Sequence, residues 1–179
     1  MSQDYTIPAA TRIGHAHLKV SDLQRAIDFY CDVLGFELVM LYGDQAAFVS
    51  AGGYHHHIGL NTWYSKGMGP APVRSAGLFH AAILYEERKQ LAVALKRLIE
   101  KGIQITGASD HGVSEAIYLN DPDGNGLELY WDRPRDQWPV DEQGKLTMFT
   151  EALNLEELLK LAEPCRDVKM WRCDEKLIS

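Results

Sequence analysis

From Ile13 to Val20 the chain alternates with period two. Ala16, Leu18 and Val20 are apolar, while His15, His17 and Lys19 fall between them, which predicts a strand with two chemically different faces. Ser21 or Asp22 then offers a helix cap, and Leu23, Ala26, Ile27, Tyr30 and Leu34 recur at helical spacing until Gly35 supplies a stop. Three short strands are predicted next, Phe36–Leu41, Ala46–Ser50 and His56–Trp63, with turns at Gly43-Asp44 and Gly52-Gly53.

The same order then returns. Leu78–Tyr85 predicts a strand, and Glu87–Lys101 a helix with Leu91, Ala94, Leu95 and Leu98 on one face and Gly102 at its end. Ile103–Thr106, Glu115–Asn120 and Gly126–Trp131 predict strands. The chain therefore reads as an α+β domain over 1–179 made of two paired βαβββ modules, about 12–63 and 77–132. A Gly/Pro-rich linker, 64–76, joins them. A C-terminal extension, 133–179, begins as a Pro-containing loop and continues as a helix from Asn154. Asn154 and Glu157 there resemble a capping box, and Leu155, Leu158, Leu159 and Ala162 form one apolar face. The tail after Pro164 is expected to be weakly ordered.

Composition narrows the partners. The 179 residues are 46% hydrophobic and 24% charged, as in a globular domain. No apolar run approaches the roughly 18 residues of a membrane span, and the N-terminus has no apolar signal core, so the expectation is a cytoplasmic protein with no membrane partner. A net charge of −7 argues against nucleic acid, which wants a basic face. Cys31, Cys165 and Cys173 form no metal or redox motif and suit a reducing compartment. The seven histidines, by contrast, all lie between His15 and His111.

Strand parity sorts these histidines. His15 and His17 share a face away from Leu18 and Val20, and His80 shares a face with Ala82 and Leu84. Glu128 and Tyr130 alternate with Leu127 and Leu129. A carboxylate between core leucines costs several kcal/mol unless it is paired or metal-bound. If the modules pair about a local twofold, their first strands lie side by side. His15, His80 and Glu128 then meet as a two-imidazole, one-carboxylate metal set suited to Fe(II) or Mn(II), with Zn(II) also possible.

The segments Gly14-His15-Ala16-His17-Leu18-Lys19-Val20-Ser21-Asp22-Leu23, Ala26-Ile27-Asp28-Phe29-Tyr30 and Leu34-Gly35-Phe36 resemble the opening of the vicinal oxygen chelate superfamily. Tyr118-Leu119-Asn120-Asp121-Pro122-Asp123-Gly124-Asn125-Gly126-Leu127-Glu128-Leu129-Tyr130 resembles its close. The resemblance spans about residues 12–132. It implies paired modules forming a metal-holding cup, with ligands at His15, His80 and Glu128. Among its members, the small catechol-2,3-dioxygenase-like proteins look most similar. They imply a non-ligand acid–base histidine at His56, a tyrosine at Tyr118 and a further histidine near His111. By its own strand face, shared with His15, His17 is a candidate either to support the metal ligands or to contact substrate. In the strand reading, His56 faces opposite to His55 and His57.

The expected function is an Fe(II)-dependent extradiol ring-cleavage dioxygenase that takes a small catecholic substrate and O2. Such proteins commonly dimerise, which implies a homodimer. Two alternatives remain open at this stage. One is a glyoxalase-like metal-dependent isomerase or lyase with His56 as a fourth ligand. The other is a non-catalytic small-molecule binding protein of the same fold.

Overall fold

The structure is a computed structural model that describes residues 5–162; Cys165, Cys173 and the tail after Pro164 lie outside the described residues. Module one comprises β1 (Ala16–Lys19), α1 (Leu23–Asp28), β2 (Glu37–Tyr42), β3 (Ala46–Ser50) and β4 (Ile58–Asn61). Module two comprises β5 (Ala81–Tyr85), α2 (Arg88–Glu100), β6 (Ile105–Asp110), β7 (Ser114–Asn120) and β8 (Gly126–Asp132). Two further elements, β9 (Glu151–Ala152) and α3 (Leu155–Leu159), follow in the extension. The first sheet runs β1-β4-β3-β2 and the second β5-β8-β7-β6-β9.

Within each module the first and last strands are parallel neighbours, with Ala16 opposite Ile58 and Ala82 opposite Glu128. The first strands therefore do not pair with each other. β1 and β5 are edge strands of separate sheets, which corrects the side-by-side expectation. A parallel pair needs a crossover, and α1 and α2 begin those crossovers. Their apolar faces cover one side of each sheet: Ala26, Ile27, Leu91, Ala92, Leu95 and Leu98 are buried against Leu18, Val49, Leu60, Leu119 and Leu129 in one core that spans both modules.

The first helix departs from the sequence expectation in form. Asp22 caps it, its carboxylate accepting from Arg25 N at 3.0 Å, but α1 passes into a π-helical stretch over Phe29–Val33. Phe29, Tyr30 and Cys31 are all buried. Three consecutive residues do not fit one face of a regular α-helix, and the wider π turn turns all three inward. α2 matches its expected span closely. Glu87 forms a capping box with Gln90, and Gly102 ends the helix at φ 67°.

The joint between the modules is polar. Asp121 accepts from the backbone N–H groups of Asp123 and Asn125 at 2.9 and 2.8 Å, which closes the β7–β8 turn, and its other oxygen accepts from Tyr30 OH at 3.2 Å. Asp123 pairs with Arg25 at 2.7 Å and accepts from Ser21 N at 3.0 Å, while Asn125 Nδ2 donates to Lys19 O at 3.3 Å. The turn thus holds the end of β1 against the start of β8 as well as linking two strands.

The extension is more structured than a loop. A 3-10 turn spans Arg135–Gln137, Val140 bridges to Leu146, and β9 adds to β6. Asn154 caps α3 by accepting from Glu157 N at 3.1 Å, and Leu158 is buried. Buried Glu115 anchors the start of this segment between Arg88 Nε and Arg133, each at 2.7 Å, and Arg133 also reaches Asp110 at 2.7 Å. We expect Arg133→Met to destabilise the protein by about 1.5–3 kcal/mol, the range of a lost hydrogen bond to a charged group. Arg88 still answers Glu115 in that variant, so the loss stays below that of an unpaired buried charge. Urea denaturation measures it, and an unchanged midpoint would show that the anchor contributes nothing.

Candidate functional site

In module two the site is built by register. Tyr118 on β7 lies opposite Glu128 on β8, and Glu128 lies beside Ala82 on β5, so the face away from the helix layer gathers their side chains. Glu128 is flanked by buried Leu127 and Leu129, and its side chain is 13% exposed. Its two oxygens have different partners. Oε1 accepts from Tyr118 OH at 3.0 Å, and Oε2 stands 2.9 Å from His80 Nε2.

Burial first, then the charge of Glu128 and the hydrogen bond to it, pushes the Tyr118 hydroxyl up to about 12. Tyr118 therefore keeps its proton across the neutral range and acts as a donor. His111, in the turn between β6 and β7, places Nε2 2.8 Å from Tyr118 OH. The resemblance implied a histidine only near this point of the chain, and the fold brings His111 and Tyr118 together.

In module one the histidines gather separately. The ring centroid of His15 lies 4.4 Å from that of His56 and 6.5 Å from that of His55. His55 and His56 bring their Nδ1 atoms to 2.8 Å, so one of the two carries a proton there. This corrects the face assignment. β4 begins only at Ile58, and His55 and His56 lie in a bend before it where strand alternation does not apply, so the two lie together. His57 turns instead to Ser50 Oγ at 3.0 Å.

Partial desolvation, then the neighbouring imidazoles of His15, His55, His17 and His57, lowers His56 below the ordinary value of 6.5. His17 is lowered too, by burial and then by His15. Phe48 stands 5.0 Å from the ring of His56 and 5.8 Å from that of His17, and Trp63 stands 5.4 Å from His17. The result is an aromatic wall on the same side of the sheet as His15.

Gly59 makes that wall possible. A Cβ at this position would come within 2.8 Å of the His17 ring. We expect Gly59→Ala to swing His17 off Trp63 at a cost of about 1–3 kcal/mol, because Gly59 is buried within β4 and the added methyl must displace the ring. NMR checks this. The His17 ring protons should lose the ring-current shift of the indole, and an unchanged spectrum would show that the wall adapts without moving.

His80 and Glu128 present nitrogen and oxygen donors in contact, the chemistry a divalent cation accepts. Buried His80 Nδ1 has no hydrogen-bond partner, so Glu128 is the protein group that holds the ring. Of the three expected ligands, the structure brings these two together and places His15 among the histidines of module one. Among the described residues no group of three or more His, Cys, Asp or Glu side chains is arranged to hold a metal.

Sequence reasoning missed Glu115, the aromatic wall, and the contacts of His111 with Phe149 and Thr150 described below. Glu115 had a signal, being a carboxylate within the strand-like run Glu115–Asn120.

The chain matches the Glyoxalase/Bleomycin resistance protein/Dioxygenase superfamily over residues 12–129, and it belongs to that family. It is 47% identical over 153 residues to a catechol-2,3-dioxygenase of Bacillus subtilis, covering 85% of this chain and 52% of that protein. It is 30% identical to biphenyl-2,3-diol 1,2-dioxygenase 2 of Rhodococcus globerulus, covering 69% of this chain and 64% of that one. The chain thus spans less than two-thirds of the length of these relatives. A glyoxalase/dioxygenase structure from Nostoc punctiforme shares the fold, with a TM-score of 0.59 at 19% identity over 75% of this chain and all of that one. Among the described residues no helix is long and apolar enough to cross a membrane.

Proposed function

We propose that the protein is an Fe(II)-dependent extradiol dioxygenase that opens a catecholic ring with O2, with His15, His80 and Glu128 as the metal ligands. The observation that carries this reading is the junction of Tyr118, Glu128 and His80. In it a carboxylate keeps one oxygen for an imidazole-bearing metal position and gives the other to a neutral tyrosine. The likeness to the Bacillus catechol-2,3-dioxygenase supports the choice among family activities. A bound Fe(II) would supply the redox-active centre and acidify a coordinated catechol hydroxyl.

The chain's own residues carry the rest. His56, held neutral near pH 7 by its lowered pKa, accepts the second hydroxyl proton at a ring nitrogen and returns a proton later in the reaction. Tyr118, protonated throughout, fixes Glu128 Oε1 and offers a hydrogen bond to an oxygen atom in the cup. Phe48 and Trp63, with His17 between them, provide flat surfaces against which an aromatic ring can lie. Both atoms of O2 enter the ring-opened product.

The test is anaerobic reconstitution of the full chain with Fe(II), followed by a catechol panel scored for O2 uptake and for a yellow ring-fission product. Stoichiometric uptake with product formation is expected. Absence of turnover across the panel, together with tight binding of a thiol adduct of a 2-oxo compound, would replace this reading with the isomerase or lyase one.

A further inference from the structure

The Tyr118 hydroxyl is claimed from two sides, by Glu128 Oε1 at 3.0 Å and by His111 Nε2 at 2.8 Å, yet it has one proton to donate. If that proton goes to Glu128, His111 Nε2 must itself carry a hydrogen and donate to the tyrosine oxygen, because two lone pairs would otherwise face each other at 2.8 Å. The neutral ring then has a bare Nδ1 that needs a donor. Two groups stand there: Phe149 O at 3.1 Å, which can only accept, and Thr150 Oγ1 at 3.2 Å, which can donate. The hydroxyl of Thr150 is thus the group that lets this tautomer satisfy all its atoms.

The alternative tautomer donates from Nδ1 to Phe149 O and accepts the tyrosine proton at Nε2. Glu128 Oε1 then loses its donor. The first arrangement makes three hydrogen bonds, one of them charge-assisted, and the second makes two between neutral groups.

The segment that supplies Thr150 is firmly placed. β9 pairs with β6 through Glu151 and Ala152, and Phe149 N donates to His111 O at 3.4 Å. The Phe149 ring lies over Gly112, where a Cβ would approach it to 2.5 Å. This segment lies beyond residues 12–129, the span matched to the family.

We propose that Thr150 is a positioning residue that holds His111 as its Nε2–H tautomer and so commits the Tyr118 proton to Glu128. The effect on turnover rests on the dioxygenase reading, whereas the tautomer does not. The test uses 15N-labelled, metal-free full-length protein, with long-range 1H–15N correlation of the His111 ring and His111→Gln to assign its signals. Wild type should show a protonated Nε2 and a bare Nδ1. Thr150→Val should exchange the two, since Phe149 O then stands alone at Nδ1, and Thr150→Ser should restore the wild-type pattern.

Thr150 is exposed and its segment is tied down by backbone pairing, so these variants should fold. In Fe(II)-loaded protein, Thr150→Val should lower kcat about 10-fold with KM unchanged, the scale of change seen when support for a ligand is removed. A wild-type ring protonated at Nδ1, or at both nitrogens at neutral pH, would overturn the proposal. So would a Thr150→Val ring identical to wild type. A tautomer exchange in protein that turns over no catechol would leave the proposal standing and defeat the dioxygenase reading.

Discussion

Glu128→Gln should lose metal and turnover together while the protein stays folded. The amide keeps the size of the carboxylate and an oxygen that can still accept from Tyr118. Its nitrogen then faces His80, where a carboxylate oxygen stood 2.9 Å from Nε2. The negative charge is gone, and with it the attraction for a divalent cation. Changes to groups that merely support a ligand cost about 10–100-fold in metal affinity or activity, so removal of the ligand itself should exceed the upper end of that range. Stability should hold or rise slightly, because an ionised group between Leu127 and Leu129 is no longer desolvated.

Metal titration followed by thermal unfolding checks both parts. An independent signal is available in the metal-free protein. The charge of Glu128 is one reason Tyr118 sits near 12, so the ultraviolet titration of Tyr118 should move down towards the ordinary value of 10 and stop short of it, since burial remains. Full metal retention in Glu128→Gln would remove this residue from the ligand set.

His56→Ala should give the opposite separation, with metal retained and turnover reduced by about 100- to 10,000-fold, the usual contribution of a general acid–base group. Its lowered pKa sets the sign of the pH dependence. A base whose conjugate acid ionises below 6.5 is already neutral at pH 7 and stays active further into the acid range than an ordinary imidazole. The acid limb of kcat/KM should therefore fall below pH 6.5 in wild type and disappear from the residual activity of the alanine variant. The rings of His56 and His15 lie 4.4 Å apart, which gives the competing outcome a clear form. Loss of metal in His56→Ala would make His56 a ligand and favour the isomerase or lyase chemistry.

Most of the fold was legible because each element announces itself locally. The period-two run through Ala16, Leu18 and Val20, the Glu87 cap and the glycines ending both helices act within a few residues of one another. The Asp121–Gly126 turn is legible in the sequence only as a short connection between two predicted strands. Its role in joining Tyr30, Arg25 and Lys19 to module two depends on chain positions far away in sequence.

Strand parity singled out Glu128 and the family resemblance pointed to Tyr118, and the fold sets the two opposite each other. The site was misread at His55 and His56, where the chain leaves the strand and alternation ceases to apply. Between Arg133 and Leu153 the chain carried no periodic signal, unlike the helix that follows. A two-residue strand such as β9 is defined by the edge it joins, and nothing in Glu151 or Ala152 advertises that edge.

The parallel pairing of first and last strands in each module has an evolutionary consequence. A unit that begins and ends at adjacent positions in its own sheet satisfies its internal hydrogen bonds before it meets a neighbour. A gene segment encoding such a unit can be copied in tandem without rebuilding either copy. The helix-facing half of every strand preserves the fold, and the opposite half is left open to mutation. Divergence between the copies then falls on the cup, where one module has accumulated histidines and the other a carboxylate, a tyrosine and the means to orient them.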